Sequence, residues 1–93
     1  MDYFQQITSS LSISDLKILS YLADQNADAL FKAIKKKSLQ EEVDLSEANY
    51  RKSLYRLEAL KFISIEAGQK EHSIYITEFG KQALYVSLSE EVI

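Results

Sequence analysis

Both arginines of this 93-residue chain, Arg51 and Arg56, fall in one short stretch with Lys52 between them. Asn49 and Tyr55 stand in the same stretch. From Ser46 to Leu57 the only acid is Glu47, which leaves a local charge of +2. A second basic run, Lys32 to Lys37, holds four lysines and no acid. The chain as a whole is acidic, at net −3 from 11 basic and 14 acidic residues, so the clusters are not a by-product of composition. Cations at this density, with an amide and a phenol among them, suit recognition of an anionic surface that also offers hydrogen-bonding groups. Catalytic sets are missing. The absence of cysteine excludes disulfides and thiolate metal sites. The one histidine, His72, excludes a multi-histidine metal site and has no partner for catalysis in the sequence. Two glycines, Gly68 and Gly80, make no phosphate-cradling loop. The reading is therefore no enzyme, no cofactor and no metal.

Helical and strand periodicities say what must hold these residues. Ser46 is placed to cap a helix over 46–61, with Glu47 in its favoured first turn. At 100° per residue, Tyr50, Leu54, Leu57 and Lys61 form its inner line, with Ser53 and Leu60 beside it. Ala48, Lys52, Tyr55 and Ala59 point the other way, flanked by Arg51 and Arg56. Upstream, Ser12-Ile13-Ser14-Asp15 reads as a capping box for a helix carrying Leu16, Leu19, Tyr21 and Leu22. Ala27, Leu30, Phe31 and Ile34 stand at i, i+3, i+4 and i+7, which predicts a second helix. Lys35, Lys36 and Lys37 then sit at its C-terminal end, where the dipole favours cations. Residues 1–11, with Tyr3, Phe4, Ile7 and Leu11, form an arm or a short leading helix.

After Lys61 the period changes from helical to two. Phe62-Ile63-Ser64-Ile65-Glu66 and Ser73-Ile74-Tyr75-Ile76-Thr77 alternate around a polar tip from Ala67 to His72, which predicts a β-hairpin with its four isoleucines toward the core. Thr77 caps a last helix over 78–90. Gly80 in its first turn implies close backbone packing. Phe79, Ala83 and Val86 make one apolar line on that helix, and Leu84 and Leu88 a second. One line serves the core. The other is free for a two-fold partner, with Phe79, Ala83, Leu84 and Leu88 as the candidate dimer contacts. No proline or linker-like stretch divides the chain, so residues 1–93 are read as one domain.

The order helix, helix, helix, hairpin, helix is α+β and mostly helical. It resembles the winged helix-turn-helix. The stretch from Leu45 to Ile63 is similar to a recognition helix running into a first wing strand. Ile74-Tyr75-Ile76-Thr77-Glu78-Phe79-Gly80-Lys81 resembles the end of the wing in MarR-like and PadR-like regulators. The chain is also similar to compact winged-helix proteins of some archaeal viruses. The resemblance implies a three-helix core over 12–61, a two-stranded wing over 62–77 and a C-terminal helix over 78–90. It implies sequence-specific binding of double-stranded DNA by a homodimeric transcriptional regulator, a repressor, with the third helix in the major groove. On that basis Ser46, Ala48, Asn49, Arg51, Lys52, Tyr55 and Arg56 are the DNA-facing residues, and Lys70 and His72 are those of the wing. Arg or Lys can pair with guanine, Asn with adenine, and Ala with a thymine methyl. Ser46 and Lys70 can hold phosphate.

This sequence departs from the pattern in places. Lys61 stands where such families often have glycine, so the helix must enter the strand without a free left-handed residue. The interval from Lys37 to Ser46 is longer than a helix-turn-helix turn, so either the second helix runs on to Leu39 or Val43 or an extra loop exists. The long extra dimerisation helices of MarR-like proteins are absent, leaving the first eleven residues and the last helix to form a dimer. The acidic balance and short wing favour an alternative, a winged-helix module that binds protein and not DNA. The longest apolar run, Ala83 to Val86, is far short of a membrane span, and Met1 to Gln6 shows no secretory signal, so the expected compartment is the cytoplasm.

Overall fold

The computed structural model describes residues 3–68 and 70–91, with residues 90 and 91 as backbone only. Gln69 of the expected wing tip and the first two residues of the expected arm lie outside the described residues. The elements are α1 (Tyr3–Ser9), α2 (Ile13–Asp24), a 3-10 turn (Leu30–Lys32), β1 (Ile34–Lys35), α3 (Lys36–Val43), α4 (Glu47–Ala59), β2 (Ile63–Ala67), β3 (His72–Ile76) and α5 (Glu78–Glu91).

The capping box forms as the sequence requires. The Ser12 hydroxyl accepts from the Asp15 amide at 3.2 Å, and Asp15 Oδ2 accepts from the Ser12 amide at 2.9 Å. Ile18, Leu19 and Leu22 are then fully buried. Asn26 stops α2 in the left-handed region, φ 56°. The Asn26 amide donates to the Ala23 carbonyl and the Ala27 amide to that of Leu22, the paired bonds of a Schellman cap.

The expected second helix is not there. Ala27 is buried, and its carbonyl accepts from the Ile76 amide at 2.7 Å. Ile34 pairs with Ile74 and Lys35 with Ser73, so this segment supplies a third strand and the sheet runs β1-β3-β2, all antiparallel. Leu30 and Phe31 are left exposed on the 3-10 turn. Helical spacing of apolar residues lost to backbone pairing with a sheet that sequence order places 40 residues later. The lysine run is accordingly at the start of α3 and not at the end of a helix. The long interval before Ser46 disappears with it. Leu39 and Val43 bury one side of α3, Asp44 ends it in the left-handed region at φ 51°, and only Asp44, Leu45 and Ser46 separate α3 from α4. This is a helix-turn-helix of ordinary turn length.

α4 ends at Ala59, two residues short of the expected boundary. Lys61 itself takes the left-handed conformation, φ 67°. Its amide donates to the Glu58 carbonyl, and the Phe62 amide to that of Leu57, a second Schellman cap with lysine in the glycine position. Leu57 and Phe62, the apolar pair of that motif, are both fully buried. In the wing Ile63 pairs with Ile76 and Ile65 with Ile74. Ile63, Ile74 and Ile76 are buried; Ile65, nearer the tip, is half-buried.

The start of α5 locks onto the exit of α4. Thr77 Oγ1 accepts from the Gly80 amide at 3.0 Å and donates to the Lys61 carbonyl at 2.6 Å. A Cβ built on Gly80 would lie 2.0 Å from the Phe62 carbonyl oxygen, so only glycine permits this approach. Phe4, Phe62 and Phe79 pack ring against ring with centroids 5.0–6.4 Å apart, joining α1, the α4 exit and α5.

Candidate nucleic-acid interface

The inner line of α4 is as the spacing predicts up to Leu57, while Lys61 lies beyond the helix end and is exposed. Tyr50, Ser53, Leu54 and Leu57 are buried, which fixes the rotation of the helix. Ala48, Asn49, Arg51, Lys52, Tyr55 and Arg56 consequently all face outward and are exposed. Ser46 precedes them, its hydroxyl accepting from the Asn49 amide at 3.2 Å. The Tyr50 hydroxyl donates to the Lys36 carbonyl at 2.6 Å, tying the middle of α4 to the start of α3. Burial pushes the Tyr50 phenol well above its ordinary pKa, so it remains protonated and a donor.

The cations on this face differ in freedom. Arg51 Nη2 lies 2.8 Å from Glu47 Oε1, one turn earlier, an exposed pair that is readily exchanged for another anion. Arg56 Nη2 lies 3.1 Å from Asp15 Oδ1, and Asp15 is fully buried. Among the described residues no ion-pair partner stands against Lys52. A polar notch opens between the start of α2 and this face, lined by Ser12, Ser14, Asn49, Lys52, Ser53 and Arg56. The capping motif of α2 is visible in the sequence. Its position beside Arg56 is not, because the two lie 41 residues apart.

The wing gathers a second basic surface. Lys70 and His72 are exposed at its end, where the Gly68 amide donates to the Glu71 carbonyl at 2.9 Å. The pairing of Lys35 with Ser73 brings the lysine run alongside. Lys35 Nζ stands 3.8 Å from Glu71, and Lys36 and Lys37 begin α3 next to it. The lysine run belongs with the site for this reason, which its position in the sequence did not reveal. Lys32, the first lysine of the run, stands 3.6 Å from Asp28, which also meets Lys81 at 2.6 Å; the hydrogen bond from Lys81 lowers the Asp28 pKa and raises that of Lys81.

The expected dimer residues do not share one surface. Ala83 and Leu84 are buried within the protomer, where α5 packs on α1 and α2, Ala83 completely and Leu84 except for an edge on an apolar groove. Phe79 is partly covered by Phe4 and Phe62. Leu88 remains exposed, as do Tyr85 on the same helix and Ile13 on α2. An apolar groove lined by Ile13, Leu16, Tyr21, Val43, Leu84 and Leu88 runs beside them. Among the described residues no group of side chains is arranged to hold a metal ion, and no helix is long and apolar enough to cross a membrane.

No family model matches the chain. The DNA-binding protein TubR of Priestia megaterium is 48% identical over 83 residues, which are 89% of this chain and 82% of that protein. The solved structure of TubR from Bacillus megaterium pBM400 superimposes with a TM-score of 0.89 at 45% identity, covering 95% of this chain and 98% of that one. SSV1 F-93 is similar at a TM-score of 0.66 and 23% identity, covering 89% and 91% of the two chains. MarR is similar at 0.71 and 19%, covering 87% of this chain and 57% of its own. The last two share the winged-helix fold. With nearly half its residues identical to a protein it matches over most of its length, the chain belongs to the TubR family.

Proposed function

We propose that the chain binds double-stranded DNA in a sequence-specific way and acts as a homodimeric regulator, a repressor that occupies its site in the cytoplasm. The observation that carries this is the outward face of α4. Asn49, Arg51, Lys52 and Tyr55 are all exposed there, directly after a three-residue turn and beside a basic wing. In this geometry α4 enters the major groove, where Asn49, Arg51 and Lys52 have the donors and acceptors to read base edges. Lys35, Lys36, Lys37 and Lys70 flank the helix and meet phosphates. That the similar TubR of Priestia megaterium is a DNA-binding protein supports the same reading. The exposed Tyr85 and Leu88 support a two-fold partner on α5.

The test is fluorescence anisotropy on random-sequence and selected 30-bp duplexes at 50 and 200 mM KCl, with the mass in solution measured by light scattering. The expected result is binding that falls steeply with salt, a preference for selected duplexes, and a mass twice that of the 10.7 kDa chain. The net charge of −3 and the pairing of both arginines with acids favour one other reading, a winged-helix module for protein. A folded protein that binds no duplex at 50 mM KCl would establish that reading instead.

A further inference from the structure

Asp15 has two jobs, and only one of them is capping. Its Oδ2 accepts from the Ser12 amide, which completes the box at the start of α2. Its Oδ1 is aimed the other way, at Arg56 Nη2 on α4, 3.1 Å away. The same Nη2 lies 3.5 Å from Ser12 Oγ. A first-turn acid is ordinarily solvated, yet this one is fully buried, and the guanidinium it holds is half-exposed at the wall of the polar notch. Ser14, Asn49, Lys52 and Ser53 line the rest of that notch. Arg56 is thus a cation on the DNA-facing side whose direction is set from behind.

We infer that Asp15 is a positioning residue for DNA recognition: it fixes Arg56 at the notch, so that this arginine meets a backbone phosphate only when α4 is seated in register. The inference rests on the DNA-binding reading above and extends it to a residue outside the recognition helix. An unanchored arginine is a long, freely rotating donor that pairs with any nearby phosphate, which adds affinity without sequence information. Holding Arg56 against a buried carboxylate removes it from such indiscriminate pairing. The anchor therefore acts on the ratio of specific to non-specific binding.

Asp15→Asn tests this. Asparagine has the same shape but one acceptor oxygen, so it serves the fixed Ser12 amide or Arg56, not both. Arg56 is released while the cap survives. On a random-sequence 30-bp duplex the variant should bind several-fold more tightly than wild type at 50 mM KCl. The slope of log affinity against log salt should steepen by about 0.9, the value for one added phosphate contact, which is about a 3.5-fold larger loss between 50 and 200 mM. Affinity for duplexes selected with the wild-type protein should rise less, so the preference falls. In an Arg56→Gln background the same substitution should leave the salt slope unchanged. A D15N protein with native circular dichroism and the wild-type slope and preference would overturn the inference. So would a steepening that persists in the D15N/R56Q double variant, since the effect would then be one of local charge and not of Arg56. If the wild-type protein itself fails to bind duplex at 50 mM KCl, it is the DNA-binding reading that falls, and the inference with it.

Discussion

At the scale of single residues, Lys61 shows how a local rule is broken without losing the motif. A lysine at φ 67° closes the Schellman cap that glycine usually closes, and the apolar contact of Leu57 with Phe62 sustains it. Left-handed backbone costs a residue with a Cβ about 1 kcal/mol, partly offset by the stiffer unfolded chain. Lys61→Gly should therefore stabilise the domain by about 0.5–1 kcal/mol, read as a higher urea midpoint at unchanged m. On the α4 face, Lys52 is the sharper probe of recognition than Arg51. Arg51 must leave Glu47 to reach DNA, whereas no described anion stands against Lys52. Lys52→Ala should weaken binding to a selected duplex by about 1–3 kcal/mol with the fold intact, as anisotropy and circular dichroism would register. An unchanged affinity would remove Lys52 from the interface.

Among the elements, legibility followed the reach of the forces that made them. α2, α4 and the hairpin are specified by contacts close in sequence: the Ser12–Asp15 box, the Tyr50–Leu54–Leu57 line, the facing isoleucines. The segment after Asn26 is not. Its helical spacing is real, but Ala27 and Ile34 bond to β3 and gain more there than one short isolated helix provides. Reading it as a helix placed the lysine run at the wrong end and hid its neighbourhood with the wing. Which residues of α4 are exposed was legible because burial of one line dictates the other. The notch at Ser12 and Ser14 was not, since it depends on how α2 crosses α4. Gly80 was legible as a site of close approach, and the approach is to the backbone at Phe62. Alanine there would ordinarily favour a helix by about 1 kcal/mol. Here Gly80→Ala should instead destabilise by about 1–3 kcal/mol, as overpacking does, because a carbonyl held by the Thr77 amide cannot yield. Thermal unfolding decides the sign.

For the whole molecule, exposed apolar side chains stand in more than one place. Tyr55 is on the outward face of α4 and Leu30 and Phe31 are on the 3-10 turn, while Tyr85 and Leu88 are exposed on α5 and Ile13 at the start of α2. Ala83 and Leu84 come from the two different apolar lines of the last helix and are both buried, so each line gives part of itself to the core and a partner is left with fewer anchors than a whole free line would offer. Leu88→Glu should shift the protein from dimer toward monomer, visible as a fall in mass by light scattering at micromolar concentration, without loss of helicity. A dimer that persists unchanged would move the two-fold contact off this end of α5.

The start of α3 is built against its own electrostatics. Lys35, Lys36 and Lys37 occupy its cap and first two positions, with no capping side chain and no acid in the first turn. The positive end of the helix dipole repels them, and they repel one another. Lys35 has Glu71 at 3.8 Å, so it is Lys36 and Lys37 that leave the free protein with local tension an anion would relieve. Lys37→Glu should raise the stability of the free protein by about 0.3–1 kcal/mol while weakening its hold on DNA. Opposite signs in those two measurements would mark α3 as a helix whose native partner is not within the chain: folding alone leaves its first turn unsatisfied, and association completes it.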